Sequence, residues 1–441
     1  PLRDQVLRGH DVDKFKLEPM SMPIRDIQYD SVYKGLKYGF GTFIIGTGGG
    51  KTYLMALLEQ SYRQFLDEDN VTLVVLPAHL VEQTTKDFIE YGIPESEISK
   101  WDGRNEFCKN KLIIVSYKTL HAKLGGSKTL KAKLPTNFKN LAEYETYTKE
   151  FKAKQKARKK LWDSSKKHYL SELADVDVIL FDEIHMLKSQ NKLNKIVDLF
   201  PARHKFGFTG TLPEEKTDQW NIIGRIGPIL NNISSFDLRE KDYLAQVHTQ
   251  ILKLHYSEPI ETKPDINNPT AAYVAECDYI YNNPFRNKVI GKLCKNINKN
   301  TLIVVDKLRH GVLLYEMLES QSGKDVYWLH GDVEMDDREK MRDLMEKHDN
   351  IICIAMSKIF STGININNLH YIIFAQGGKA KVTLIQSIGR GLRLHEKKDV
   401  LIIVDIADDL RYGNQHLPKR LEHYDKEQIP YETKHINEYN N

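Results

Sequence analysis

Three short stretches carry residue types whose spacing suits phosphoryl chemistry. Gly46-Thr47-Gly48-Gly49-Gly50-Lys51-Thr52 lies between a β-branched run, Thr42–Ile45, and a helical run, Tyr53–Phe65. Glycines let successive backbone N–H groups curl around an anion, and the following helix N-terminus adds partial positive charge. Lys51 would then reach the β- and γ-phosphates of a nucleotide, and the Thr52 hydroxyl would take a place on Mg²⁺. The strict phosphate-loop pattern wants glycine six residues before the lysine, where this chain has Ile45. Asp182-Glu183-Ile184-His185 closes the apolar run Val176–Phe181. A carboxylate at the end of a buried strand, Asp182, can hold Mg²⁺, and the next one, Glu183, can activate an attacking water. Gln386-Ser387-Ile388-Gly389-Arg390-Gly391-Leu392-Arg393 places Arg390 and Arg393 on one face of a helix. Planar guanidinium groups suit the spread negative charge of a phosphoryl transition state. Taken singly, these stretches also read as a Gly-rich turn, an acidic strand end and solvated arginines. Their order along one chain favours the chemical reading.

The elements that must position these residues follow an alternating pattern. β-branched runs alternate with helical stretches in two series, which predicts an α/β fold with parallel sheets flanked by crossover helices. The first series comprises Thr42–Ile45, Val71–Leu76, Leu112–Ser116, Val176–Phe181 and Lys205–Phe208. The second comprises Thr301–Val305, Val326–Leu329, Ile351–Ala355, Tyr371–Phe374 and Val400–Val404. Around Gly227–Lys263 turn residues are frequent and the period is lost, so the expected domains are 1–235 and 236–441. The polar tail from Asn414 is expected to form one last helix and a frayed end.

Between His121 and Leu170 stand fourteen Lys and Arg against four Asp and Glu. The core of this basic insertion, 121–170, is Phe151–Lys160, with Lys154, Lys156, Arg158, Lys159 and Lys160, and Phe138, Tyr144, Tyr147, Trp162 and Tyr169 are scattered through it. It reads either as a solvated helical hairpin or as a surface that tracks phosphates, because clustered cations gain by releasing counterions from a polyanion. The second reading is favoured.

The bulk numbers set outer limits. A chain of 441 residues with 41% hydrophobic and 28% charged residues can bury two or three cores and keep a solvated surface. No apolar run of membrane-spanning length and no apolar secretion signal is read, so a cytoplasmic protein without membrane contact is expected. Cys108, Cys277, Cys294 and Cys353 lack metal-site spacing and read as free buried thiols. The net charge of +4 is too small to identify a partner.

In this order the three motifs resemble those of the superfamily 2 helicases, with a DEIH form of the second. The rest of that motif set is similar too. Arg25-Asp26-Ile27-Gln28 looks like the upstream motif that holds the adenine, which gives Arg25 and Gln28 to the nucleotide. Thr209-Gly210-Thr211 stands where the family couples hydrolysis to domain movement, a role in which His185 would share. In Ser361-Thr362-Gly363-Ile364-Asn365, Thr362 would touch the tracked strand, and Gly363 and Asn365 would face the nucleotide. Pro77, then Ser116, Tyr117 and Thr119, resemble strand-contacting motifs of the first domain; His330 and Gly331 resemble one of the second. Within the superfamily, Phe360–Asn368 and Gln386–Leu394 look like phage-encoded UvsW-type branch-migration helicases, although the basic insertion and the short segment before Arg25 depart from that type.

The resemblance implies two tandem RecA-like domains with an ATP cleft between them, and ATP and Mg²⁺ as cofactors. It implies catalytic roles for Lys51, Asp182, Glu183, Gln386, Arg390 and Arg393. The expected partner is forked or branched DNA, gripped with little sequence preference by a monomer, with other replication or recombination proteins as further candidates. An RNA helicase and an ATP-switched clamp that holds nucleic acid without unwinding it are the alternatives.

Overall fold

The computed structural model describes residues 10–12, 15–66, 70–102, 105–125, 141–189, 191, 193–200, 202–260, 270–357, 359, 366–376, 394–396 and 398–438, with backbone alone at 141–147, 155, 158, 335 and 336. The chain divides into two compact units, Pro1–Ile45 with Gly50–Asn232, and Gly46–Gly49 with Ile233–Asn441. Each is built on one seven-stranded sheet.

In the first unit the strands are β1 (Phe40–Ile45), β2 (Val71–Leu76), β3 (Ile98–Trp101), β4 (Leu112–Ser116), β5 (Val176–Phe181), β6 (His204–Thr209) and β7 (Ile229–Ile233), in the order β3-β4-β2-β5-β6-β1-β7. The runs VTLVVL of β2 and LIIVS of β4 are buried at every position. Such unbroken apolar strands suit a parallel sheet covered by helices on both faces. Parallel register sets Ile44 beside Thr209 and Phe181 beside Gly207. The turns that follow β1, β5 and β6 therefore leave one edge of the sheet together. That edge, outside the carboxyl ends of parallel strands, is where open α/β sheets bind ligands.

The second unit repeats the scheme with β8 (Gln246–His255), β9 (Thr301–Val305), β10 (Val326–Leu329), β11 (Ile352–Met356), β12 (Tyr371–Phe374), β13 (Val400–Asp408) and β14 (Tyr431–Asn437), ordered β10-β11-β9-β12-β13-β8-β14. Two tandem RecA-like sheets are thus present, as expected. Two regions differ from expectation. The stretch 227–263 contains β7 and β8, and β8 is a ten-residue strand. Its alternation, QVHTQILKLH, is the signature of a strand toward the sheet edge rather than of lost period. The tail forms a helix, Arg411–Lys426, but then adds β14 in parallel register on β8 instead of fraying. The sequence of β14, YETKHIN, is exposed almost throughout, so no apolar pattern betrays it. The ladder hydrogen bonds to β8 define it.

Of the basic insertion, residues 121–124 end the helix Tyr117–Leu124 and 141–170 lie in a 32-residue helix, Leu141–Glu172. Residues 126–140, and with them the choice of a hairpin, lie outside the described residues. Cys277, Cys294 and Cys353 are buried, but Cys108 is exposed, against expectation. Among the described residues no helix is long and apolar enough to cross a membrane.

A buried amide ties the second unit together. Asn300, fully buried, donates from Nδ2 to the carbonyls of Met345, His348 and Asn368 at 2.7, 2.7 and 3.0 Å. Its Oδ1 accepts from the Ile351 N–H at 2.9 Å. Removing the amide leaves these buried groups unpaired. Asn300→Ala is expected to destabilise the second unit by about 2–4 kcal/mol in urea denaturation, against less than about 0.5 kcal/mol for the exposed Asn298→Ala. Coincident unfolding midpoints for the two variants would contradict this role.

Candidate functional site

The loop between β1 and the helix Lys51–Arg63 needs glycine at two points. Gly48 and Gly50 have φ of 84° and 80°, which side-chain-bearing residues rarely adopt. The Gly49 N–H donates to the Gly46 carbonyl at 3.0 Å and the Leu54 N–H to the Gly50 carbonyl at 2.9 Å, closing the turn into the helix. The Gly46 N–H donates to the Ile233 carbonyl at 2.9 Å, and a Cβ on Gly46 would stand 2.7 Å from both the Ser235 nitrogen and its Oγ. Ile45, where the strict pattern has glycine, is the last residue of β1 and is 1% exposed. It belongs to the strand and its core, so the loop proper begins at Gly46. Lys51 turns back toward this strand end, with Nζ 3.4 Å from the Ile45 carbonyl. Thr52 follows it in the first turn of the helix.

Gln28 sits in the helix Asp26–Tyr38, 3% exposed. Its Oε1 accepts from the Arg25 N–H at 3.0 Å, which caps the helix. A Cβ on Gly50 would meet Gln28 Nε2 at 2.4 Å, so this amide packs against the loop backbone. Arg25 is the cap residue itself. Gln28 of the upstream motif and Gly50 of the loop therefore meet within the first unit.

At the end of β5, Asp182 is 5% exposed. Its Oδ1 accepts from the Glu183 N–H at 2.8 Å. Burial, and next the Glu183 charge, hold its carboxyl well above the ordinary carboxylate range, and the Lys51 ammonium opposes them. Glu183 has φ 52° and ψ 45°, a left-handed conformation that costs a residue of this kind about 1–2 kcal/mol. The kink turns its carboxylate away along the edge, where Oε2 lies 3.1 Å from His185 Nδ1. His185 Nδ1 is also 3.2 Å from Thr209 Oγ1, and Thr209 donates its hydroxyl proton to the Thr211 carbonyl at 2.8 Å. With that proton committed, Thr209 Oγ1 accepts, so His185 carries its proton on Nδ1. A chain from Glu183 through His185 and Thr209 to Thr211 joins the two motifs. Gly207 permits it, because a Cβ there would stand 2.7 Å from Ile184 Cδ1.

One contributor is absent from the sequence reading in this role. Tyr117, buried and stacked on Phe181 at 6.3 Å, donates its hydroxyl to the Asp182 carbonyl at 3.0 Å. It thus fixes the backbone of the acidic turn from the end of β4, across the intervening β2. The available signal was an aromatic with a polar tip directly after a fully apolar strand. Ser116 likewise turns to local work, with Oγ accepting from the Thr119 N–H at 3.0 Å as a helix cap. Pro77 leads out of β2 on the same edge.

In the second unit the turn after β10 carries His330 and Gly331. Arg338 Nη2 donates to both their carbonyls, at 3.3 and 3.2 Å, a support that the sequence did not disclose. On the long helix, Lys154, Lys156, Lys159 and Lys160 are exposed. Arg158 lies in that helix, but its side chain is outside the described residues. Thr362, Gly363, Asn365, Gln386, Arg390 and Arg393 are also outside the described residues.

The donor set suits a hard divalent cation. Thr52 and Asp182 offer oxygen, and a buried carboxylate with raised proton affinity gains by exchanging its proton for a cation. Among the described residues no group of three or more His, Cys, Asp and Glu forms a metal cage. Mg²⁺ characteristically takes one or two carboxylates and completes its shell with phosphate and water.

Comparison with known proteins agrees with these motifs. Residues 22–214 match the family model of the type III restriction enzyme res subunit, and residues 286–395 match the helicase conserved C-terminal domain. The chain is 25% identical over 429 residues to the ATP-dependent DNA helicase uvsW of Enterobacteria phage T4, covering 93% of this chain and 76% of that protein. The fold resembles Saccharomyces cerevisiae Dbp5 bound to Gle1, with TM-score 0.56, 14% identity, and coverage of 99% of this chain and 93% of the other. It also resembles the ATP-dependent Type ISP restriction-modification enzyme LlaBIII bound to DNA, with TM-score 0.60, 12% identity, and coverage of 98% and 33%.

The raised Asp182 has a measurable consequence for stability. An unfolded aspartate ionises near its ordinary value of about 3.9, whereas the folded carboxyl resists ionisation. The penalty is therefore absent below the unfolded pKa, grows as pH rises, and is complete above the folded pKa. Asp182→Asn is expected to melt above the wild type at about pH 8, with the difference vanishing toward about pH 4. A difference independent of pH would show that ionisation is not its source.

Proposed function

We propose that the chain, an ATP-dependent helicase, is of superfamily 2 and unwinds or branch-migrates forked and branched DNA in replication, recombination or repair. The observation that carries the reading is the meeting, at one edge of the first sheet, of the Gly-rich loop with Lys51, the buried Asp182, and the chain from Glu183 through His185 to Thr209. Likeness over 93% of the chain to a protein named as a DNA helicase supports DNA as the substrate. In this reading an ATP-binding domain extends to roughly residue 235 and a helicase C-terminal domain follows.

The loop Gly46-Thr47-Gly48-Gly49-Gly50 cradles the phosphates, the Gly46 and Gly49 N–H groups serving the turn itself, with Lys51 neutralising them. Gln28 and Arg25 hold the adenine edge. Thr52 and Asp182 would hold Mg²⁺, which when bound would supply charge neutralisation to the phosphates. Glu183 takes the proton of the attacking water. Its partner His185 passes the resulting change in hydrogen bonding to Thr209, Gly210 and Thr211. Gln386, Arg390 and Arg393 supply donors to the transition-state charge, and Gly363 and Asn365 complete the nucleotide shell. Pro77, Ser116, Thr119, His330, Gly331 and Thr362 grip the strand through its backbone, so sequence preference is slight. Opening each base-pair step costs about 0.6–2.2 kcal/mol, within reach of a stepping motor.

Glu183→Gln is expected to retain ATP and DNA binding while turnover falls by about 10²–10⁴-fold. Undiminished turnover would remove Glu183 as the base. Arg390→Ala is expected to slow hydrolysis by about 10³-fold or more with little change in nucleotide affinity; equal losses in both would reassign it to binding. Strand displacement on fork, four-way junction and plain duplex DNA, beside an RNA duplex, tests the substrate. Preference for the RNA duplex would make the chain an RNA helicase, and hydrolysis without displacement would make it a clamp.

A further inference from the structure

The helix Leu141–Glu172 runs directly into β5, the strand that ends at Asp182. Its C-terminal end is anchored in the first unit. Tyr169 packs its ring on Trp101 and Phe107, at 4.9 and 5.9 Å between centroids, and Lys123 lies 5.4 Å from its centroid. The cations upstream are not spread evenly around the rod. At about 100° per residue, Lys149, Lys152, Lys156, Lys159, Lys160 and Lys167 fall within an arc of about 100°. With a rise of about 1.5 Å per residue they occupy about 27 Å of helix length. One acidic residue, Asp163, shares the arc. The aromatic side chains take another face. Phe151, Trp162 and Tyr169 lie roughly opposite, half-buried, and Trp162 is engaged by the Lys166 ammonium 5.2 Å from its ring.

Resting on the function proposed above, the geometry points to this lysine face as a grip for the phosphate backbone of double-stranded nucleic acid. We infer duplex rather than single strand for two reasons. Proteins that hold single strands without sequence preference combine cations with aromatic platforms for unstacked bases. Here Phe151, Trp162 and Tyr169 lie away from the six-lysine arc, with Lys166 and Lys123 against two of them. A rigid rod with cations along one side instead matches a stiff polyanion that carries a charge every ~1.7 Å of its axis. Each lysine that neutralises a phosphate releases a counterion, which gives the surface affinity without base reading. Lys154 faces away from the arc and takes no part.

The test is equilibrium binding without ATP, by fluorescence anisotropy, of a blunt DNA duplex and of a single-stranded oligonucleotide of equal length across a salt series. The variant carries Lys152→Gln, Lys156→Gln, Lys159→Gln and Lys160→Gln. Duplex affinity is expected to fall at least about tenfold, and the slope of log K against log salt to become shallower by about 3–4, at roughly 0.9 per phosphate contact. Single-strand affinity is expected to stay within about twofold, and Lys154→Gln to leave the duplex slope unchanged within about 0.5. Equal losses for duplex and single strand, or an unaltered duplex slope, would overturn the inference. Should the fourfold variant melt below the wild type, Lys152→Gln with Lys159→Gln carries the same test with an expected slope change of about 2. Because the readout needs no hydrolysis, the grip can fail while strand displacement persists, and it can stand while displacement is absent.

Discussion

Placing a carboxylate one residue beyond a buried strand is the constraint around which the first unit is organised. Ionising Asp182 there is unfavourable, since water is excluded and the Glu183 charge is adjacent. Lys51 offsets this only in part. Within the protein the Asp182 charge is therefore only partly compensated. Its neighbours maintain that condition. Tyr117 fixes the backbone of the turn, and the left-handed Glu183 sends the second carboxylate to His185 instead of leaving it with Asp182.

Buried charge is treated differently in the second unit. Arg286, fully buried, donates from Nε to Asp408 Oδ1 at 2.9 Å, and the Tyr256 hydroxyl donates to the same oxygen at 2.5 Å. Such a pair is closed on itself and specifies packing. The contrast separates two uses of a buried carboxylate. Asp408 has its cation within the protein and is structural. Asp182 draws only partial relief, from the Lys51 ammonium.

Parallel strand geometry connects the pieces. With Ile44 beside Thr209 and Phe181 beside Gly207, turns separated by more than a hundred residues leave the sheet side by side. The Glu183–His185–Thr209 contacts follow from this register. Small residues at Gly207 and Gly50 then permit the close approaches, of Ile184 in one case and of Gln28 in the other. The long basic helix joins the same arrangement through β5, which follows it in the chain.

What the sequence determined by itself was whatever local chain chemistry dictates. Glycines fix the loop because positive φ demands them, buried parallel strands appear as unbroken β-branched runs, and the order of the motifs identifies the family. Ten strands were legible for this reason, whereas β3, β7, β8 and β14 were not. Their residues are short, polar or alternating runs whose partners, not their composition, make them strands. The lysine face was likewise hidden within a count of charges until a single continuous helix assigned each residue an azimuth. Tertiary structure alone decided that Tyr117 serves Asp182, that His185 is shared by Glu183 and Thr209, and that Ser116 caps a helix. Those contacts cross the sheet or depend on a side-chain rotamer, and sequence spacing encodes neither.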